Sequence, residues 1–184
     1  MIIGLTGKNA SGKGEAANYL KSKGFIYYSL SDVIREEATK RKLDHSRDNL
    51  IKLGNKLRAK FGPNYLAEQI NKKINQQLKQ NKSQNFVIDS IRNPHEAKEL
   101  AKNEDFILVG IDAPVELRFK RLLERNRLGD AKTLYEFKKQ EQRENLKSDT
   151  NQQLDATFSM AKKVILNDGS LEELHKKVDK LLKN

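Results

Sequence analysis

An apolar run, Ile2-Ile3-Gly4-Leu5-Thr6, leads directly into Gly7-Lys8-Asn9-Ala10-Ser11-Gly12-Lys13, and a helical pattern follows from Glu15 to Leu20. Strand, glycine-bounded loop and helix in that order are what a phosphate-cradling loop requires. Gly7 and Gly12 allow the backbone to curl and approach an anion, and successive N–H groups form a nest at a helix N-terminus. Lys13 adds a mobile point charge for the β- and γ-phosphates of a nucleotide. The Walker A spacing G-x-x-x-x-G-K is complete, but Gly14 occupies the position where Ser or Thr would ligate Mg²⁺.

The remaining apolar runs are short: Phe25–Ser29, Phe86–Asp89, Phe106–Asp112 and Val164–Leu166. Such runs suit strands buried on both faces. Helical patterns separate them, which predicts a parallel sheet with right-handed crossovers. Asn93-Pro94-His95-Glu96, Thr133…Glu136 and Ser170…Glu173 read as capping boxes that open helices, and Asp112-Ala113-Pro114 ends a strand and opens another. The stretch from Asn71 to Asn85, rich in Asn, Gln and Lys, reads as a helix end running into a solvated loop.

A length of 184 residues suits one domain with a full core. The chain has no cysteine, which excludes disulfides and thiolate metal sites, and its three histidines are scattered. No apolar run reaches membrane-spanning length and no signal-peptide pattern precedes the first strand, so a cytoplasmic protein without a membrane partner is expected. Thirty-six Lys and Arg against 25 Asp and Glu give a formal charge of +11. That balance suits nucleic acid or a polyanionic nucleotide. No run interleaves basic and aromatic residues, so lysines scattered over helix faces are the favoured reading.

Four further stretches place chemistry where open α/β sheets bind ligands, beyond the carboxyl ends of strands. In Ser29-Leu30-Ser31-Asp32-Val33-Ile34-Arg35, Asp32 suits either a helix N-cap or a ligand contact, and Arg35 lies one turn further on. In Phe86-Val87-Ile88-Asp89-Ser90-Ile91-Arg92, Asp89 ends a buried strand where a metal-orienting carboxylate or proton acceptor is wanted. Arg92 follows with a planar fork for phosphate; a capping Asp beside a surface Arg is the plainer reading. From Pro114 to Arg127, Val115, Phe119, Leu122 and Leu123 form an apolar stripe, and Arg118, Arg121 and Arg125 are spaced to project from another face. Arg127-Leu128-Gly129-Asp130 breaks that helix, so the arginines form either a closing lid or a solvated basic face. The turn Asn167-Asp168-Gly169-Ser170 either borders a nucleotide base or only connects strand to helix.

Together these segments resemble the nucleoside and nucleotide monophosphate kinase group of P-loop proteins almost end to end. Gly7 to Gly14 resembles the adenylate kinase loop, in which Gly-Lys-Gly also occurs and water mediates the metal contact; Glu15 stands where those loops carry Thr. Ser29 to Arg35 resembles the segment that holds the acceptor phosphate, and Asp89-Ser90-Ile91-Arg92 resembles the Asp-Gly-x-Pro-Arg element. Arg121 and Arg125 after Pro114-Val115-Glu116-Leu117 have the spacing of the lid-helix arginines. Asn167 to Leu174 is similar to the carboxyl end of dephospho-CoA kinases and phage deoxynucleoside monophosphate kinases. Ser-Leu-Ser-Asp replaces the Asp-Ala-Asp of the former. Gly54-Asn55-Lys56-Leu57-Arg58 resembles the kinase-like domain fused to some deoxycytidylate deaminases.

The resemblance implies a three-layer α/β P-loop nucleoside triphosphate hydrolase fold with a parallel five-stranded sheet. It implies one kinase domain over 1–184, with an acceptor-binding insertion at about 30–80 and a lid at about 114–147. The implied activity is ATP-dependent phosphoryl transfer to a (deoxy)nucleoside monophosphate, with Mg²⁺, by a monomer or homodimer. The alternatives are dephospho-CoA kinase and a non-catalytic nucleotide-sensing or nucleic-acid-binding protein. By the same resemblance, Gly7, Lys8, Asn9, Ala10, Ser11, Gly12, Lys13, Gly14, Glu15, Arg121, Asn167 and Gly169 are expected at ATP. Asp32, Arg35, Arg58 and Arg92 are expected at the acceptor. Lys13, Asp89, Arg92, Arg121 and Arg125 are expected to act in catalysis, Asp89 on the metal through water.

Overall fold

A computed structural model describes residues 1–126, 129–143, 145 and 148–183. The apolar runs form β1 (Ile2–Thr6), β2 (Ile26–Ser29), β3 (Phe86–Asp89), β4 (Phe106–Asp112) and β5 (Lys163–Leu166). They pair in parallel in the order β2-β3-β1-β4-β5, which makes the expected five-stranded parallel sheet. The first strand is central because every one of its residues is buried, so it takes neighbours on both edges.

Alternation along the strands divides the core between two faces. Ile2, Phe86, Ile88, Phe106 and Leu108 face α2 (Leu30–Lys40), α3 (Arg47–Phe61), α4 (Tyr65–Gln80) and α5 (Pro94–Leu100) through Ile34, Leu57, Leu66, Ile70 and Leu100. Ile3, Leu5, Val87, Val109 and Ile111 face α1 (Lys13–Ser22) and α9 (Leu171–Leu182) through Ala16, Ala17, Leu20, Leu174 and Val178. Helices on both faces of one sheet make three layers. The segment from 30 to 80 is thus wholly helical apart from its connections, and its apolar face belongs to the main core.

Beyond the sheet, α6 (Val115–Arg125) and α7 (Leu134–Arg143) enclose a small core of their own, while α8 (Leu154–Ser159) returns the chain to β5. Leu122, Ala131 and Phe137 form that core with Val115, Phe119, Leu134 and Ala10 of the glycine loop. Two expectations for α6 need correction. Leu123 does not complete the apolar stripe but is 47% exposed, and Arg118 does not project but is 4% exposed. Arg118 is drawn inward by partners that helical periodicity does not reveal: the carbonyls of Asn9 and Ala113 and the carboxylate of Glu141. Arg127 and Leu128 lie outside the described residues, as do Glu144, Leu146 and Lys147 at the end of the expected lid.

The three capping boxes form as read. Asn93 with Glu96 opens α5, Ser170 with Glu173 opens α9, and Thr133 exchanges the same bonds with Glu136. The N-cap of α2 is Ser29, whose hydroxyl accepts from the Ser31 amide at 3.2 Å; Asp32 is not the cap. Ser170→Ala removes one acceptor from an exposed helix start and is expected to cost about 1 kcal/mol, read as a lowered midpoint in chemical denaturation.

Candidate functional site

The loop from Gly7 to Lys13 leaves the central strand with a backbone that only its own sequence permits. Gly7 has φ 141° and Gly12 has φ 101°, both outside the range comfortable for side chains. A Cβ on Gly7 would strike the carbonyl oxygen of Ile111 on β4, and one on Gly12 would strike the Asn167 amide. Ala10 adopts φ 58°, and the Ser11 amide donates to the Lys8 carbonyl at 3.3 Å to close the turn. The Lys13 ammonium donates to the carbonyls of Gly7 and Lys8, each at 2.8 Å, so the charge is held above the loop. The Ser11 hydroxyl is buried and has no hydrogen-bond partner.

Two arginines of α6 tie the distal helices to this loop. Arg118 donates to the Asn9 carbonyl at 3.3 Å and pairs with Glu141, with its guanidinium over the Phe137 ring. Arg121 donates to the backbone carbonyl of Asn167 at 3.1 Å, and the Asn167 side-chain amide donates to the Ser11 carbonyl at 2.9 Å. Asn167 is 5% exposed and braces the loop from beneath.

A cavity of about 730 Å³ opens from the loop toward α2 and α3. Asn9, Ala10, Ser11, Gly12, Lys13, Gly14 and Glu15 of the loop line it, together with Arg121 and Arg125 of α6 and with Arg35, Arg58, Asp89 and Arg92. The structure therefore brings most of the expected residues to one space. Gly7, Lys8, Asp32, Asn167 and Gly169 do not line it. The Lys8 ammonium lies 3.3 Å from Asp155, Asp32 receives a 2.8 Å bond from Arg35, and Gly169 sits in the exposed turn capped by Glu173. Arg58 is only 2% exposed and pairs with the fully buried Glu96.

Tyr27, His45, Arg47, Asp130 and Gln152 also line the cavity and were not singled out as site residues. Asp130 accepts two 2.8 Å bonds from Arg125, and Gln152 accepts from Arg92 at 3.1 Å. Their signals are weak in the sequence, because Arg47 and His45 sit among exposed helix-start residues and Gln152 in a polar linker. Burial first, and then the Asp89 charge, raise the pKa of the Tyr27 phenol, so it remains a protonated donor at neutral pH.

Among the described residues, seven cationic side chains line the cavity, Lys13, Arg35, Arg47, Arg58, Arg92, Arg121 and Arg125, against the carboxylates of Glu15, Asp89 and Asp130. That excess suits a ligand carrying several negative charges. Asp89 stands at the carboxyl end of β3, beside β1, and accepts from the Ser90 amide at 2.6 Å; Ser90 itself is held at φ 65°. Among the described residues no group of three or more His, Asp or Glu side chains is placed to hold a metal ion. Asp89 and Glu15 in the lining are of the donor type that Mg²⁺ commonly takes, one or two carboxylates together with substrate phosphates. A side chain at Gly14 would meet nothing within 4 Å, so the missing hydroxyl there is not a steric requirement.

An AAA domain model matches residues 3–145. Over essentially the whole chain, the protein is similar to UPF0200 proteins of archaea. The identity is 32% to that of Pyrococcus abyssi, covering 100% of this chain and 96% of the relative. It is 34% to that of Pyrococcus horikoshii, covering 99% and 96%. Among solved structures, a Thermus thermophilus protein superposes with a TM-score of 0.65 at 21% identity, covering 100% of this chain and 96% of the other. Shikimate kinase from Aquifex aeolicus superposes with a TM-score of 0.52 at 18% identity, covering 100% and 96%. These structural likenesses establish the P-loop kinase-like fold. Among the described residues, no helix is long and apolar enough to cross a membrane.

Proposed function

The chain belongs to the UPF0200 family and carries an AAA domain, and from that premise we propose that it catalyses ATP-dependent phosphoryl transfer to a (deoxy)nucleoside monophosphate. The observation that carries this reading is one cavity lined both by the glycine loop and by a set of arginines, Arg35, Arg58 and Arg92, from outside it. A binding module for one nucleotide would need only the loop. A kinase needs both, because two anionic groups must be held in line.

In this reading the loop amides and Lys13 hold the β- and γ-phosphates of the donor. Arg35, Arg58 and Arg92 hold the acceptor phosphate. Arg121 and Arg125 meet the transferring group from α6 and exchange their present partners, Asn167 and Asp130, for phosphate oxygens. Asp89 would orient the acceptor or hold Mg²⁺ through water. Mg²⁺, when bound, neutralises charge on the donor phosphates, with Asp89 and Glu15 the carboxylates available to it. Transfer of this kind depends mainly on positioning and charge stabilisation, so Gly14 in place of a hydroxyl does not preclude it.

The test is a coupled ADP-release screen against all ribo- and deoxynucleoside monophosphates and dephospho-CoA. Turnover of one or a few monophosphates is expected; turnover of dephospho-CoA alone would reassign the acceptor. ADP release with none of them would leave a nucleotide-binding role. With the best acceptor, Asp89→Asn keeps the shape but removes the charge and is expected to lower turnover by about 10²-fold. Its Mg²⁺ titration should shift to higher concentration. Superimposable Mg²⁺ titrations at equal rates would reduce Asp89 to a local cap of the Ser90 amide.

A further inference from the structure

The capping-box glutamate occurs three times in this chain, and one of the three differs from the others. Glu136 and Glu173 are exposed and use one oxygen each to receive the amides of their helix starts. Glu96 is fully buried. Its Oε2 accepts from the backbone amides of Arg92 at 3.0 Å and Asn93 at 3.1 Å, as a cap does. Its Oε1 accepts from Arg58 Nε at 2.9 Å and Nη2 at 2.7 Å. One carboxylate therefore receives four N–H groups from two separate elements, α3 and the turn after β3.

Capping alone does not account for this. An exposed glutamate caps α7 and α9 without a buried charge, and a buried ion pair stabilises a fold little better than apolar residues of similar size. What the arrangement does provide is fixed geometry. Both arginines it touches line the cavity, Arg58 gripped through its side chain and Arg92 through its backbone. With Nε and Nη2 of Arg58 committed to Glu96, the plane of the guanidinium is set, and Nη1 makes a long 3.4 Å bond to Asn55 Oδ1. A planar fork held in this way loses little freedom when it meets an anion.

Resting on the acceptor reading above, we infer that Glu96 is a positioning residue that aims Arg58 and Arg92 at the acceptor's anionic group. It touches no substrate itself. The test is a double-mutant cycle of Glu96→Gln, Arg58→Met and the two combined. In the combined variant both buried charges are gone, and the glutamine carbonyl still caps the Arg92 and Asn93 amides. Each single change is expected to raise the acceptor KM about tenfold or more, the scale of losing a charge-assisted hydrogen bond, while the donor KM stays at the parent value. The combined variant is expected to raise the acceptor KM no further than Arg58→Met alone, because Glu96 acts through Arg58. A purely structural role predicts a lowered thermal midpoint with an unchanged acceptor KM in Glu96→Gln, and that result would overturn the inference, as would multiplicative effects on KM. If Glu96→Gln does not fold, equality of Arg58→Met and the combined variant supports the inference and a further loss in the latter defeats it. A parent protein that phosphorylates no acceptor removes the kinase reading separately. The cycle is then read by calorimetric titration of inorganic phosphate into ADP-saturated protein. Affinity lowered alike in the three variants supports Glu96, and parent-like affinity in Glu96→Gln refutes it.

Discussion

Lys13→Ala is expected to lower turnover by about 10²-fold or more while the thermal midpoint stays within a degree or two of the parent. The kinetic loss follows from removing one charge that meets developing negative charge on the transferring group. The small stability effect follows from where the lysine sits. Its ammonium bonds to the Gly7 and Lys8 carbonyls at the rim of the cavity, and its side chain is absent from the apolar clusters of both sheet faces. Gly7, Gly12 and Asn167, by contrast, shape the loop through backbone geometry and contacts that Lys13→Ala leaves in place. Steady-state kinetics and a thermal melt on one preparation separate the two effects. Unaltered phosphoryl transfer in the variant would remove this loop from the donor site.

Arg125→Ala is expected to cost about 10²–10³-fold in kcat, equivalent to roughly 3–4 kcal/mol of lost charge stabilisation, with donor affinity changed far less. The guanidinium lies at the end of α6, two-pronged on Asp130 just beyond Gly129, whose φ of 85° lets the chain turn there. An arginine that exchanges a carboxylate for a transferring phosphoryl group contributes mostly to the transition state, so kcat falls more than binding. A nucleic-acid-binding helix makes a different prediction. There the same substitution would leave kinetics unchanged, weaken oligonucleotide binding across sequences and flatten its salt dependence. Kinetics with the best acceptor and oligonucleotide binding across a salt series decide between them.

The fold was legible because its signals are local and periodic. All five strands were marked by short apolar runs, and only the ends of β2 and β5 shifted, by one residue each. Capping boxes located the starts of α5, α7 and α9 for the same reason. The bend of the glycine loop was legible as well as its position, since a side chain at Gly7 or Gly12 would collide with its neighbours. What the sequence concealed were partnerships across long separations. Helical spacing puts Arg118 on the same face as Arg121 and Arg125, but only the fold brings Glu141 from α7 and the Asn9 carbonyl up to it. Arg58 carries no local sign that Glu96, 38 residues on, will bury it. Asp32 looked like a cap because acids favour helix starts, yet Ser29, three residues earlier, has the extended backbone a cap requires. Lys8 lies inside the glycine motif, but its ammonium is turned to Asp155 rather than to the cavity.

The brace beneath the glycine loop also bears on how the chain is made. The loop follows β1 directly, but that strand has no neighbour until residues 86–89 and 106–112 appear. Asn167, which holds the Ser11 carbonyl, follows 156 residues after it. A nascent chain emerging from the ribosome therefore carries an apolar strand beside an unbraced, lysine-bearing loop until Asn167 is made. Pairings this distant in sequence form late. The braced loop is thus assembled only after Asn167 has been made, and a chain halted before residue 167 has the motif without that brace.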